Sequence, residues 1–227
     1  MMTLKRYVLN KGEVECLTHT PQGDLLVINA ARCSFDKAHE VFDKEKDTRL
    51  INYLAREKHL LPFRHPQATF RITLPIFVLR QLGKHQVGFS WSEVSRRYIT
   101  AEPEFWEPHT VRSRPENIKQ GSEVVEWGEG VEDEMKYNFA ESHQRMLELY
   151  SDLLDKGVAP EQARAVLPQS MYTTVVVTGS LLGWWTMVKQ RTDPHTQEET
   201  RHYAYAVDDL MSLLFPVSWA SLKEHNA

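Results

Sequence analysis

The stretch "RQLGKHQVGFSWSEVSRRYI", residues 80–99, constrains the fold more than any other part of the chain. Arg80, Lys84, Arg96 and Arg97 are interleaved with Phe89, Trp91 and Tyr98, against a single acid, Glu93. A solvated surface helix has no use for three aromatic rings, and a buried strand cannot hold four cations, because an uncompensated charge in the interior is costly. A stretch that is both apolar and cationic suits a ligand that is flat and anionic.

The rest of the chain supplies that core without supplying a general positive field. At 227 residues, 41% of them hydrophobic, the chain can bury one sizeable core, which predicts a single domain over residues 1–227. A net charge of −4 disfavours a coat for nucleic acid or an anionic membrane surface, so any cationic function must come from local clustering. Cys16 and Cys33 are too few for a disulfide framework or a zinc site, which fits a reducing compartment, and Cys33 reads as a small core residue. The first residues lack an apolar signal core and no apolar run is long enough to span a bilayer. A soluble cytoplasmic protein is the expectation.

Periodicity predicts short strands at 4–9 and 24–30, separated by "THTPQG", and a helix over 47–58. "ATFRITL" alternates as a strand does, and Pro75 opens a helix "PIFVLRQLGKH", on which Arg80 and Lys84, and Gln81 and His85, lie one turn apart. Residues 101–130 read as a long loop, and one of that length is more often functional or interface-forming than idle. A helix over 131–156 carries the stripe Met135, Phe139, Met146, Leu149 and Leu153. Pro160 opens a short helix, "MYTTVVVT" is strand-like with a buried helix as the alternative, and Ser180 caps "SLLGWWTMVKQR". A last long helix runs from His195 to about Leu214.

Chemistry concentrates in a few places. If the backbone is extended, Glu93, Ser95 and Arg97 point to one side and offer an acceptor, a hydroxyl and a guanidinium fork to a nucleotide; on a helix, Glu93 and Arg97 are an ordinary ion pair. Glu161 and Arg164 form a surface pair, or the apolar neighbours turn Arg164 inward. Arg191 reads as a cation at a helix C-terminus, favoured there by the dipole. His59 and His65 read as loop residues. His195 and Glu199 lack a third ligand, so no metal site is predicted. No P-loop, dinucleotide glycine pattern or nucleophile elbow is present.

Taken as motifs, the same residues say more. "RQLGKHQVGFSWSEVSRRY" resembles the signature of the flavin-dependent thymidylate synthases, RQ-x-x-RHR followed after a short spacer by NE-x-S-x-RY. "REKHLLPFRH" looks like the family's GH-x-(S/T)-PFEH, "PIFVLRQ" like its PIFV-x-RQ helix, and "EQARAVLP" like its E-x-AR-x-VLP. "VKQRTDPHTQEETR" is similar to L-x-LR-x-(D/S)-x-HAQ-x-EIR, so the motifs follow in family order over residues 59–201. The chain also departs from the pattern. Lys84 and Gln86 replace the two arginines around His85, the spacer to Glu93 is one residue longer, Ser92 replaces asparagine, Leu61 replaces Ser or Thr, Arg64 replaces glutamate, and Ser180-Leu181-Leu182 lacks the Asn and Arg of some members.

The resemblance implies an α+β fold, a mostly antiparallel sheet wrapped by helices, and a homotetramer whose active sites are shared between chains. It implies conversion of dUMP to dTMP, with FAD as cofactor and NADPH and methylenetetrahydrofolate as co-substrates. Gln81, Lys84, Glu93, Ser95, Arg97, Arg164 and Arg191 would bind dUMP, and Arg191 and Ser95 would be catalytic. His59, Leu61, Lys84, His85, Gln86, Glu93, Ser180, Thr186 and His195 would border FAD. Three alternatives remain: a flavin-dependent transferase acting on uracil in RNA, a family member with lost or altered activity, and a binding protein that uses residues 80–97 on single-stranded nucleic acid.

Overall fold

The computed structural model describes residues 4–99, 101–116 and 121–225. Its centre is a five-stranded, wholly antiparallel sheet in the order β1-β2-β3-β5-β4, formed by Lys5–Val8, Gly12–His19, Gln67–Pro75, Tyr172–Ser180 and Phe89–Glu93. β3 and β5 are its spine, paired without interruption from Gln67 opposite Ser180 to Pro75 opposite Tyr172. Alternation decides which way each face turns. Phe70 lies opposite Val177 and Ile72 opposite Val175, all fully or almost fully buried. On the other face the hydroxyls of Thr69 and Thr178 meet at 2.9 Å, and those of Thr73 and Thr174 at 3.0 Å.

Helices surround the sheet. They are α1 (Gly23–Arg32), α2 (Lys46–Arg56), α3 (Ile76–Leu82), α4 (Val131–Asp155), α5 (Pro160–Ala163), α6 (Leu181–Arg191), α7 (Glu198–Leu214) and α8 (Pro216–His225). Of these, α6 and α7 lie on the apolar face, whereas α4 packs on α5 away from it. Trp184 of α6, Tyr203 of α7, Phe215 and Trp219 fill the space between sheet and helices and are wholly buried. Trp184 stands edge-on to Phe70 and to Phe89, with ring centroids 5.0 and 4.8 Å away, and its indole donates to the Ala68 carbonyl. The result is the expected α+β architecture. Among the described residues no helix is long and apolar enough to cross a membrane.

Several local expectations are corrected. Residues 24–30 lie in helix α1, not a strand: Leu25, Val27 and Ile28 are buried between helices, and tertiary packing outweighs the β-branched composition. The second strand is instead Gly12–His19, whose alternation is visible in its burial. Cys33 is exposed, because α1 ends just before it and a short 3₁₀ turn carries it to the surface. Helix α3 stops at Leu82, so Lys84 and His85 lie in the following turn and not on a helical face. The last long helix starts at Glu198, and an unforeseen α8 follows Phe215, opening on Pro216.

Candidate active site

Two adjoining cavities open where α3 ends and α6 begins. The first, of about 630 Å³, is walled by the 84–90 segment, the end of β5 and the first turn of α6, with Arg64 also on its wall. Gly88 and Gly179 make this wall thin. A Cβ on Gly179 would sit 2.5 Å from the Phe89 ring, and Gly88, at φ +79°, adopts a conformation that other residues resist. Ser180 caps α6 by accepting from the Gly183 amide at 3.1 Å. The second cavity, of about 1200 Å³, includes Arg80, Gln81, Arg112, Lys189, Arg191 and His195. Lys84 and Thr186 line both.

Arg191 is held rather than free. Its Nε donates to His85 Nε2 at 3.1 Å and one terminal nitrogen, Nη2, donates to the Gln81 carbonyl at 3.0 Å. The helix-dipole reading of Arg191 therefore gives way to a specific clamp, formed because α3 ends one residue after Gln81 and leaves that carbonyl turned toward α6. Burial, and then the neighbouring Arg191 charge, lower the His85 pKa below its ordinary value. The ring is thus neutral at pH 7 and accepts at Nε2, which leaves the proton on Nδ1. Burial also pulls Arg191 below the usual guanidinium range.

Behind this clamp runs a relay from the long loop. Gln81 donates to the side-chain oxygen of Gln197, Gln197 donates to Glu199 at 2.9 Å, and Arg112 donates to the same buried carboxylate at 2.5 Å. Arg112 also pairs with Glu198 at 3.1 Å. Arg112, Gln197 and Glu199 were missed as site residues, and nothing in the spacing of Arg112 could have found it. The relay also shows why Glu199 does not form a metal pair with His195, whose own amide donates to Asp193. Among the described residues, no group of three His, Cys, Asp or Glu is placed to hold a metal ion.

A third cavity, of about 470 Å³, has Glu93 and Arg164 on its wall, with Ser95 and Arg97 beside it through their contacts to Arg164 and Glu161. β4 ends at Glu93, which accepts from the Thr173 hydroxyl at 2.9 Å, and the chain then turns, Tyr98 N donating to Ser95 O. Glu93, Ser95 and Arg97 therefore do not line up on one side of a strand, nor pair along a helix. Instead Ser95 Oγ lies 3.5 Å from an Arg164 terminal nitrogen, and Arg97 pairs with Glu161 at 3.3 Å. Arg164 is exposed, not turned inward. Phe89 and Trp91 do face the core side, Trp91 donating to the His85 carbonyl at 3.1 Å. His59 lies against the Tyr53 ring and Leu61 is 66% exposed; neither lines these cavities.

Comparison with known proteins bears on this geometry. Residues 15–217 match the family model described as thymidylate synthase complementing protein. The chain is 34% identical over 218 residues to the flavin-dependent thymidylate synthase of Thermus thermophilus, covering 96% of this chain and 78% of that one. It is 37% identical over 204 residues to the enzyme of the same description from Thermotoga neapolitana, covering 90% and 87%. Among solved structures, the UMP/dUMP methylase PolB from Streptomyces cacaoi bound with 5-Br dUMP superposes with a TM-score of 0.85, at 27% identity and over 96% of this chain and 97% of that one. The same methylase bound with 5-Br UMP gives a TM-score of 0.82.

Proposed function

The chain belongs to the flavin-dependent thymidylate synthases, and from that premise we propose that it methylates dUMP to dTMP using FAD, with methylenetetrahydrofolate as one-carbon donor and NADPH as reductant, its residues 1–227 acting as one domain. The observation that carries this reading is the Arg191 clamp. A half-buried guanidinium is fixed by His85 and the Gln81 carbonyl on the wall of a cavity that meets a second one at Lys84 and Thr186. Among the described residues its Nη1 donates to no group, which leaves that atom for a substrate oxygen.

The first cavity fits FAD. Among the described residues no carboxylate lines it, and Lys84, Gln86 and Ser180 offer polar groups to an anionic dinucleotide. Lys84, His85, Gln86, Ser180 and Thr186 would border the cofactor; when bound, FAD supplies the two-electron redox chemistry of the reaction. His59, Leu61, Glu93 and His195 would reach it only through another face or another chain. The protein's own work is electrostatic. Arg191 would stabilise negative charge on the pyrimidine as N3 loses proton character and C5 becomes nucleophilic, and its fixed geometry means that no reorganisation is needed at that moment. Neutral His85 holds Arg191 without repelling it. Ser95 would orient the pyrimidine, while Arg97 and Arg164, with Gln81 and Lys84, would hold dUMP. Neither cysteine is needed as a nucleophile.

Glu93 and Arg164, with Ser95 in contact with Arg164 and Arg97 with Glu161, lie at a different cavity from Lys84, His85 and Arg191. A homotetramer with shared sites reconciles this, each site taking its two halves from two chains. α4 supports that assembly. Of its 25 residues only His143 and Tyr150 are buried, and its predicted apolar stripe leaves Phe139 and Leu149 uncovered. The mass in solution should equal four chains of 26.4 kDa, measured by light scattering.

The first experiment is a visible absorption spectrum of protein incubated with FAD and desalted, followed by titration with dUMP and assay for dTMP. A retained flavin band that shifts with dUMP is expected, with dTMP formed. Protein that binds neither compound would overturn the reading. Parallel titration with UMP tests a second reading, acceptance of the ribonucleotide, which the likeness to a UMP/dUMP methylase favours.

A further inference from the structure

The first cavity poses a charge problem. Among the described residues no acid lines it, yet a ligand carrying a pyrophosphate needs cations there. The donors at the start of α6 are partly spent: the Leu181 amide donates to the Pro66 carbonyl at 2.8 Å and the Gly183 amide to Ser180. His85 is neutral and Gln86, which donates to the Gly83 carbonyl, carries no charge. Two full cations remain among the described residues of the wall, Lys84 and Arg64. Among the described residues neither side chain has an ion pair or hydrogen bond, whereas most other arginines are matched with acids or carbonyls, as Arg32 is with Asp47, Arg97 with Glu161 and Arg191 with the Gln81 carbonyl.

Arg64 is also placed with little freedom at its base. It ends the 3₁₀ turn Leu61–Arg64, whose Pro62 and Phe63 are buried, Phe63 completely. Two residues later Pro66 accepts from Leu181, fastening this turn to the first residue of α6, and Gln67 pairs with Ser180 at the edge of the same cavity. A guanidinium on such a base offers its planar fork at low entropic cost. The family pattern places a glutamate at 64 and arginines at 84 and 86; here Arg64, Lys84 and Gln86 keep the count of two cations while moving one to another element.

We propose that Arg64 is a phosphate-binding residue of this cavity and, with Lys84, holds the pyrophosphate of the flavin dinucleotide. The inference rests on the FAD reading and goes beyond it, since it makes Arg64 the residue that compensates for Gln86. It predicts a binding site tuned to the charged linker of the cofactor and not to its ring.

The test is equilibrium titration of the full chain with FAD and, separately, with riboflavin, which has the ring but no phosphate, followed by quenching of flavin fluorescence. Arg64→Ala should weaken FAD about 10- to 100-fold, the loss typical of one charge-assisted contact, and leave riboflavin binding unchanged. Arg64→Lys should retain most of the FAD affinity, and the salt dependence of FAD binding should be shallower in Arg64→Ala. Wild-type FAD affinity in Arg64→Ala overturns the inference and leaves the FAD reading standing. An equal loss for FAD and riboflavin also overturns it, since the effect would then concern cavity shape. A wild-type chain that binds no FAD overturns both.

Discussion

The two cationic regions of this molecule keep their charge in opposite ways. At the first cavity Arg64 and Lys84 face a wall without acids. At the third, Arg96 and Arg164 share the lining with Glu93, Glu102, Glu104 and Glu161, and Arg97 is already paired with Glu161. The first region presents bare charge to whatever enters. The second stores its charge in weak partnerships, since an ion pair with both side chains about half exposed is worth only about 0–1 kcal/mol. A phosphate that offers a bidentate contact can replace a carboxylate there at little cost. The contrast suits a cofactor site that is ready before binding and a substrate site that is completed by binding.

The largest expected effect falls between the two ways of holding charge, at Arg191, whose cation is clamped by neutral partners in the second cavity. Arg191→Ala should lower dTMP formation by at least about 10²–10³-fold, the scale seen when a fixed electrostatic donor is removed, while the flavin band survives desalting. Wild-type turnover in that variant would remove Arg191 from the chemistry. The same change has a titration signature. Arg191 helps to depress the His85 pKa, so its loss should move the imidazole up toward the ordinary value, readable by NMR. The sign for stability follows: a depressed histidine pKa means that the unfolded chain binds more protons, so His85 contributes stability above its unfolded pKa and loses it as pH falls.

A smaller effect is expected at the second region. Ser95 touches Arg164 and accepts from the Arg97 amide at 3.3 Å, so its hydroxyl positions two cations. Ser95→Ala should reduce kcat/KM for dUMP about 5- to 20-fold, consistent with losing one or two ordinary hydrogen bonds, and leave FAD binding intact. Complete loss of turnover with normal dUMP binding would instead give Ser95 a nucleophilic role.

How much of this was legible depends on whether the sequence signal was local. β3 alternates strongly enough to be read directly, β5 was legible only from its β-branched composition, which left a buried helix open, and Ser180 announced α6 by its cap. The first helix was not legible, because Val27 and Ile28 carry a strand composition that only packing against neighbouring helices overrides. The α4 stripe was read correctly as a periodic face but is not core within one chain. For the site, motifs named Arg191, His85 and Gln81, whereas spacing alone assigned Arg191 to a helix end. The clamp depends on where α3 stops, a boundary fixed by Gly83 and the turn after it, and Arg112 reaches Glu199 across 87 positions of sequence. Neither fact is encoded in a window short enough to inspect.

The smallest effect sharpens the comparison most. If Glu161 merely shields Arg97 until phosphate arrives, then Glu161→Gln should strengthen dUMP binding, by about 2- to 5-fold for an exposed pair of this kind. The change should fade as salt rises, because the competition it relieves is between solvent-exposed charges. FAD affinity should not move, since no acid is present to be removed from the first cavity. Isothermal titration with dUMP at low and high salt reads both. Weaker dUMP binding in Glu161→Gln would mean that the carboxylate orients Arg97 for the phosphate rather than competing with it, and the two regions would then differ in geometry and not in how they hold charge.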